Sequence, residues 1–181
     1  ITFSPSINFY TIKDHIYFVG DNHLQADQVI TFNQFIVDLK LKLLNNQINF
    51  DNKFTYNLSS NSANGILNFP KQTLYSKLYY NGIWFNNTIP VQLGTIISYR
   101  SEFYGDAYDP ITQNFYVQNE FMLERYLRFD LFFTMQVNNL RISLKMNHFN
   151  QFDSFDGYFV TPYYPAQKKV LDLGVRWYFF N

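Results

Sequence analysis

Three Asn-Asn dipeptides, at Asn45-Asn46, Asn86-Asn87 and Asn138-Asn139, each sit between two runs that alternate apolar and polar residues. Asparagine tolerates the positive φ of tight hairpin corners, so each dipeptide predicts a two-residue turn joining antiparallel strands. Because side chains alternate between the faces of a strand, a one-residue slip would exchange the two faces completely. The register around each corner is therefore testable from the residues alone.

Pairing Leu44 with Gln47 sets Leu43 opposite Ile48, Leu41 opposite Phe50, Val37 opposite Phe54 and Phe35 opposite Tyr56. The other face then brings Lys42 to Asn49, Lys40 to Asp51 and Asp38 to Lys53, which are complementary cross-strand neighbours. Around the second corner Trp84 meets Ile89, Gly82 meets Val91, Tyr80 meets Leu93 and Leu74 meets Tyr99, while Tyr79 can cover the bare Gly94. Around the third, Val137 meets Leu140, Met135 meets Ile142, Phe133 meets Leu144 and Leu131 meets Met146. Each register explains both faces at once.

An N-terminal strand and a closing strand bring the total to about eight, over residues 7–19, 28–44, 47–59, 66–85, 88–104, 123–137, 140–152 and 170–180. The intervening segments 20–27, 60–65, 105–122 and 153–169 are polar or mix aromatic residues with Pro, Asp and Gly. Tight turns and long loops alternate along the chain, so the tight turns gather at one end of the sheet. Short turns at one rim and longer loops at the other are the pattern of an outer-membrane barrel. Strands of ~11–20 residues are also long for a globular sheet, where ~5–6 is usual. I-to-i+4 amphipathic periodicity is not sustained anywhere, which argues against a covering helix.

Composition narrows the partners. Aromatic residues make up 21% of the chain and its net charge is zero, so nothing marks it for nucleic acid. Without cysteine there are no disulfides, thiolate metal sites or thiol catalysis. No apolar run approaches the ~20 residues of a spanning helix, and the first residues lack the pattern of a signal peptide. A mean hydropathy of -0.22 suits a water-soluble protein or a barrel whose every second residue faces water.

Periodicity alone allows a soluble β-barrel with its apolar face inward as well as a membrane barrel with that face outward. Large apolar residues at nearly every outer position, with Trp84, Phe129, Trp177 and Phe179 near strand ends as in an interfacial girdle, favour the second. The expectation is an all-β, antiparallel transmembrane β-barrel forming a single domain over residues 1–181. Asp38, Lys40, Lys42, Asp51, Lys53, Arg100, Arg128, Asp130, Arg141, Lys145 and Arg176 then line its polar interior. They either set the selectivity of a pore or hold a narrow barrel shut through ion pairs.

Six stretches, "YTIKDHIYF", "NFDNKFTYN", "LYSKLYYNGIWF", "VQLGTIISYRSEFYGDAYDPITQNFYVQNE", "ISLKMNHFN" and "TPYYPAQKKVLDLGVRWYFFN", resemble the putative porin family of Bacteroidota outer membranes. The resemblance runs over essentially the whole chain and matches the C-terminal portion of that family. It implies a barrel of the bacterial outer membrane, a wall completed by further strands, and passive diffusion of small polar solutes. The closing strand also resembles the signal read by the barrel-insertion machinery, carried here by Asp172, Gly174, Trp177 and Phe179. Asn181 departs from the usual final aromatic. Outer-membrane lipid and that machinery are the implied partners.

No catalytic, cofactor or metal motif emerges. His15 and His23, near Asp14, Asp21 and Asp27, read as a solvated loop, and Asp106, Asp109 and Glu120 lack EF-hand spacing. His148 is placed on the apolar face opposite Phe129, away from Ser143, so no nucleophile and base meet. Asp14 falls in phase with Tyr10, Ile12, Ile16 and Phe18, which a bulge or a protein contact would explain. Besides a porin, the residues fit a non-conducting structural barrel that binds partners through loops 105–122 and 153–169. A TonB-dependent transporter would need a plug domain that is not visible in these residues.

Overall fold

A computed structural model describes residues 1–20, 22–60, 63, 65–151 and 158–179. The chain begins with β1 (Thr2–Ile12), a short hairpin of β2 (Ile16–Val19) and β3 (Asn22–Gln25), then β4 (Ile30–Leu43) and β5 (Ile48–Ser59). It continues through β6 (Gln72–Trp84), β7 (Ile89–Arg100), β8 (Phe103–Tyr104), β9 (Ala107–Asp109), β10 (Asn114–Tyr116) and β11 (Met122–Leu123). β12 (Tyr126–Val137), β13 (Leu140–Asn147), β14 (Phe159–Thr161), β15 (Tyr164–Pro165) and β16 (Val170–Trp177) complete it. The eight long strands form one antiparallel sheet in the order β1-β4-β5-β6-β7-β12-β13-β16, and the short ones pair within the connections. Among the described residues β1 and β16 do not pair with each other, so the sheet is open. No helix there is long and apolar enough to cross a membrane.

All three hairpin registers are those predicted. Leu43 faces Ile48 and Lys40 faces Asp51, Trp84 faces Ile89 and Tyr79 faces Gly94, and Phe133 faces Leu144. Only the third corner is a two-residue turn, with positive φ at Asn138. The first two are longer: Leu44, Asn45 and Asn46 are all left-handed, as are Phe85, Asn86 and Asn87. Hydrogen bonds from Gln47 N to Leu44 O (3.0 Å) and from Thr88 N to Trp84 O (3.1 Å) close them. A non-Asn residue shares the positive φ in each, yet the register is kept because both strands lengthen the turn equally.

The first strand departs from expectation in span and in phase. β1 ends at Ile12 because Asp14 takes φ 52°, and Ile16 opens a separate hairpin, so Asp14 lies in a turn and not on the sheet. Its odd residues Phe3, Ile7 and Phe9 share the apolar face, since Phe3 pairs with Leu39 and Ile7 with Phe35. Tyr10 and Ile12 lie on the other side, where Tyr10 stacks on Phe32 at 4.4 Å. That side is apolar at the loop end: Ala26, Ile30 and Ala63 form a buried cluster, flanked by Ile12, Tyr17, Ile66 and Leu67. The long connections thus pack over the same side of the sheet that carries charge further along.

Among the described residues the opposite face has no such cover. Ile7, Leu43, Phe54, Leu78, Leu131, Leu144 and Leu173 project from seven of the eight long strands and are 38–68% exposed. Soluble monomers rarely expose a contiguous apolar patch beyond ~300–600 Å². On this face Trp84 and Tyr99 mark the two ends of the β6-β7 hairpin. Ten residues separate them from rung to rung, about 33 Å along a strand and about 23 Å once tilted by 45°, close to the ~25 Å apolar band of barrels.

Candidate functional site

Every charged residue of the long strands lies on one face, and none lies on the other. Asp38 and Lys40 of β4 pair across to Lys53 and Asp51 of β5, Lys42 pairs with Asn49, and Asp51 pairs onward to Lys77 of β6. Arg100 ends β7 on the same side as Arg128 and Asp130 of β12, since Tyr126 pairs with Arg100 and Asp130 with Ile96. Arg141 and Lys145 of β13 pair with Arg176 and Asp172 of β16. All the interior positions expected from the sequence therefore share this face, joined by Lys77 and Asp172. Nine basic residues stand against four acidic ones there, although the whole chain balances at 14 each. The remaining ten acidic and five basic residues lie in the connections.

Three local arrangements organise the charge. Asp130 is fully buried; its Oδ2 lies 3.3 Å from Arg128 Nε and 3.5 Å from Lys145 Nζ, and its Oδ1 accepts the His148 backbone N–H at 3.0 Å. Asp51 accepts a hydrogen bond from the Tyr79 hydroxyl at 3.1 Å. The Lys77 ammonium stands 4.4 Å above the Tyr79 ring and 4.7 Å above the Phe132 ring, a cation–π clamp over the rung of Gly94. Lys40 and Asp51, and Asp38 and Lys53, face each other in register without an ion pair of 4.0 Å or less among the described residues. Between the charges run amide pairs, Gln92 Nε2 to Asn81 Oδ1 at 2.8 Å and Gln34 Nε2 to Asn57 Oδ1 at 3.0 Å.

At the loop end this face is narrowed by infolded connections. Tyr158 stacks on Tyr126 at 3.7 Å, the Arg100 guanidinium donates to the Phe159 carbonyl, and Asn57 Nδ2 donates to Pro70 O at 2.9 Å. A cleft of about 540 Å³ remains between Asn57, Lys71, Ser101 and Tyr104. His148 belongs to this region and not to the apolar face where the sequence placed it. Its φ of 56° reverses the alternation after β13, and the ring sits buried with Nε2 3.1 Å from the Tyr158 hydroxyl and Nδ1 3.3 Å from Lys168 O. Tyr126 could have been found from its phase with Arg128 and Asp130; Tyr158 carried no such signal.

The closing-strand residues divide between faces. Asp172 and Gly174 lie on the charged side, where Asp172 accepts a hydrogen bond from Asn147; Trp177 lies on the apolar side, its ring 6.1 Å from that of Phe179. Of the loops named as contact surfaces, 105–122 carries the β9-β10 hairpin, and residues 153–157 of the other lie outside the described residues. Their aromatic residues engage one another: Phe121 packs on Phe159 and Tyr163, and Tyr108 on Tyr164. Asp109 caps its turn by accepting from Ile111 N and from the Thr112 hydroxyl, bonds that hold its pKa below the ordinary carboxylate value. Burial pushes Asp106 the other way, against the opposing bond from Asn68 and the nearby His15. His15 stacks on Tyr17, and His23 faces Phe18 across the β2-β3 hairpin; Asp21 lies outside the described residues.

No curated protein and no solved structure matches this chain. A family model described as "Putative porin" matches residues 1–181, its full length. An all-β antiparallel sheet with one charged and one uncovered apolar face agrees with that match, and the chain belongs to the putative porin family.

Proposed function

We propose that this chain forms part of the wall of a transmembrane β-barrel in the bacterial outer membrane, and that the barrel lets small polar solutes diffuse passively along its charged face. The observation that carries this reading is the complete segregation of strand charge to one side, opposite an apolar side that none of the described residues covers. In hydrocarbon an unpaired backbone edge costs several kcal/mol per group, so β1 and β16 require further strands between them. Eight strands closed on themselves would be filled by side chains, whereas ~16–18 leave an aqueous channel; the reading therefore includes a larger barrel to which this chain contributes eight. Its role is non-enzymatic, with outer-membrane lipid around it and the insertion machinery acting on Asp172, Gly174, Trp177 and Phe179 during assembly.

One observation favours a second reading. The Tyr126–Tyr158 stack and the Arg100–Phe159 bond fold connections over the charged face at one end, which suits a non-conducting structural barrel whose loops 105–122 and 153–169 bind a partner. Single-channel recording of the full-length protein in planar bilayers decides between them. Steady open currents support the porin, while silence together with a stably co-purifying partner supports the structural subunit.

A further inference from the structure

We infer that the charged face carries a binding site for oxyanions, phosphate or carboxylate groups on small solutes, between Arg141 and Arg176 at the tight-turn rim. The inference deepens the porin reading and rests on it for the route by which a solute arrives.

Arg141 and Arg176 are direct cross-strand partners. Like charges placed directly opposite destabilise a sheet, so a negative group between the two would be stabilising. Neither neighbouring carboxylate on this face supplies it: Asp130 is engaged by Arg128, Lys145 and the His148 N–H, and Asp172 by Asn147. Among the described residues no carboxylate lies within 4.0 Å of either guanidinium. Arginine presents a planar fork of donors that matches an oxyanion in two-point contact.

The surroundings are shaped for such a group. Arg141, Arg176, Thr134, Ser143 and Gly174 line an open concavity of about 310 Å³. Its floor is Gly174, where a Cβ would come no closer than 3.8 Å to Ser143 Cβ and 3.9 Å to its carbonyl. The sheet itself therefore does not demand glycine there; the missing side chain is what leaves the hollow. The Thr134 hydroxyl donates to Ser143 Oγ at 3.4 Å, which leaves the Ser143 O–H able to donate to a bound group. A separate sign comes from Tyr178, just beyond β16: the nearby Arg176 and Arg141 hold its pKa below the ordinary tyrosine value. The two arginines thus favour the anionic form of an oxygen near them. The excess of five positive charges on the face draws anions toward it, and the long connections leave this rim uncovered.

The test uses the full-length protein in planar bilayers under a potassium chloride gradient, with inorganic phosphate as the probe. The expected result is an anion-selective reversal potential and a saturable block of chloride current by phosphate. Replacing Arg141→Gln and Arg176→Gln together should raise the half-blocking phosphate concentration at least tenfold and move the reversal potential toward the cation side. Arg141→Lys with Arg176→Lys should keep the selectivity but weaken the block. Removing two charges elsewhere, Lys168→Gln with Lys169→Gln, should leave the block intact. An open, cation-selective channel, or a block that survives the glutamine pair, overturns the site and leaves the porin reading standing. A silent barrel overturns the porin reading alone, and phosphate titration of the purified protein by calorimetry then decides the site: arginine-dependent heat supports it and none overturns it.

Discussion

His148 donates its backbone N–H to Asp130 Oδ1 at 3.0 Å, so a carboxylate in the middle of β12 holds the residue at which the chain leaves β13. The same carboxylate lies between Arg128 and Lys145. Replacing Asp130→Ala would leave two cations without their counter-charge and a buried N–H without an acceptor. Breaking a buried pair costs about 3–5 kcal/mol; since Arg128 and Lys145 keep 34% and 40% exposure, about 2–4 kcal/mol is expected. Asp130→Asn, which retains the acceptor, should lose less. Urea titration in lipid bilayers would read the difference, and an unchanged midpoint for the alanine variant would contradict the arrangement.

How far the residues spoke for themselves differs from element to element. The rungs Leu43–Ile48, Trp84–Ile89 and Val137–Leu140 were legible because alternation fixes both faces and the asparagines mark the corner. The extra left-handed residues, Leu44 and Phe85, were not, since neither side chain favours positive φ and the lengthening is symmetric. β1 misled because its loop end contributes Tyr10 and Ile12 to a local apolar cluster on the charged side, so hydrophobicity there no longer marks the outer face. His148 escaped because a single reversed φ changes sides without any trace in the pattern. The charges expected to line an interior do share one face of the sheet, but their contacts were not legible: Asp130 pairs with Arg128 on its own strand and with Lys145 on β13, away from any predicted rung.

Two glycines on the charged face should respond oppositely to a methyl group. A Cβ at Gly94 would lie 2.2 Å from the Leu78 carbonyl oxygen and 2.7 Å from Tyr79 Cα, a clash with backbone that cannot be relieved by a rotamer. Gly94→Ala is expected to cost about 2–3 kcal/mol, in the range of overpacked sites. Gly174→Ala meets only ordinary contacts and should leave stability within about 0.5 kcal/mol. Gly174→Arg, by contrast, alters the proposed assembly signal and should lower outer-membrane yield. Denaturation midpoints and membrane fractionation separate the two effects; a normal yield of the arginine variant would remove Gly174 from the signal.

Leu131 and Leu144 stand on adjacent strands of the apolar face, each 38% exposed. If that face meets hydrocarbon, Leu131→Lys or Leu144→Lys near mid-strand should each cost about 2–4 kcal/mol. Ile96→Gln, on the charged face between Lys77 and Asp130, should be tolerated within about 1 kcal/mol, because water or polar side chains can receive the amide. Reversible unfolding in bilayers measures all three. Lysine at 131 and 144 without penalty would favour a water-soluble sheet.

The connections should show a pH response of their own through Asp106. Its carboxylate accepts from Asn68 Nδ2 at 3.1 Å, yet burial raises its pKa above the ordinary value. A raised carboxylate binds its proton more tightly in the folded loop than in the opened one, so loop stability falls as pH rises from the ordinary carboxylate value of about 3.9 through the folded pKa, and is restored on acidification. Asp109 works in the opposite sense: its lowered pKa gives stability present above the ordinary value and lost only as pH falls through the folded one. Amide exchange in the segments around Asn68 and Gln118, which Asn68 Nδ2 also joins at 3.3 Å, should therefore slow as pH falls from neutral into the mildly acidic range, after correction for intrinsic rates. Asp106→Asn should flatten that response while leaving the Asp109 turn unchanged. Exchange that quickens on mild acidification of the unaltered protein would show that the Asn68 bond outweighs burial at Asp106.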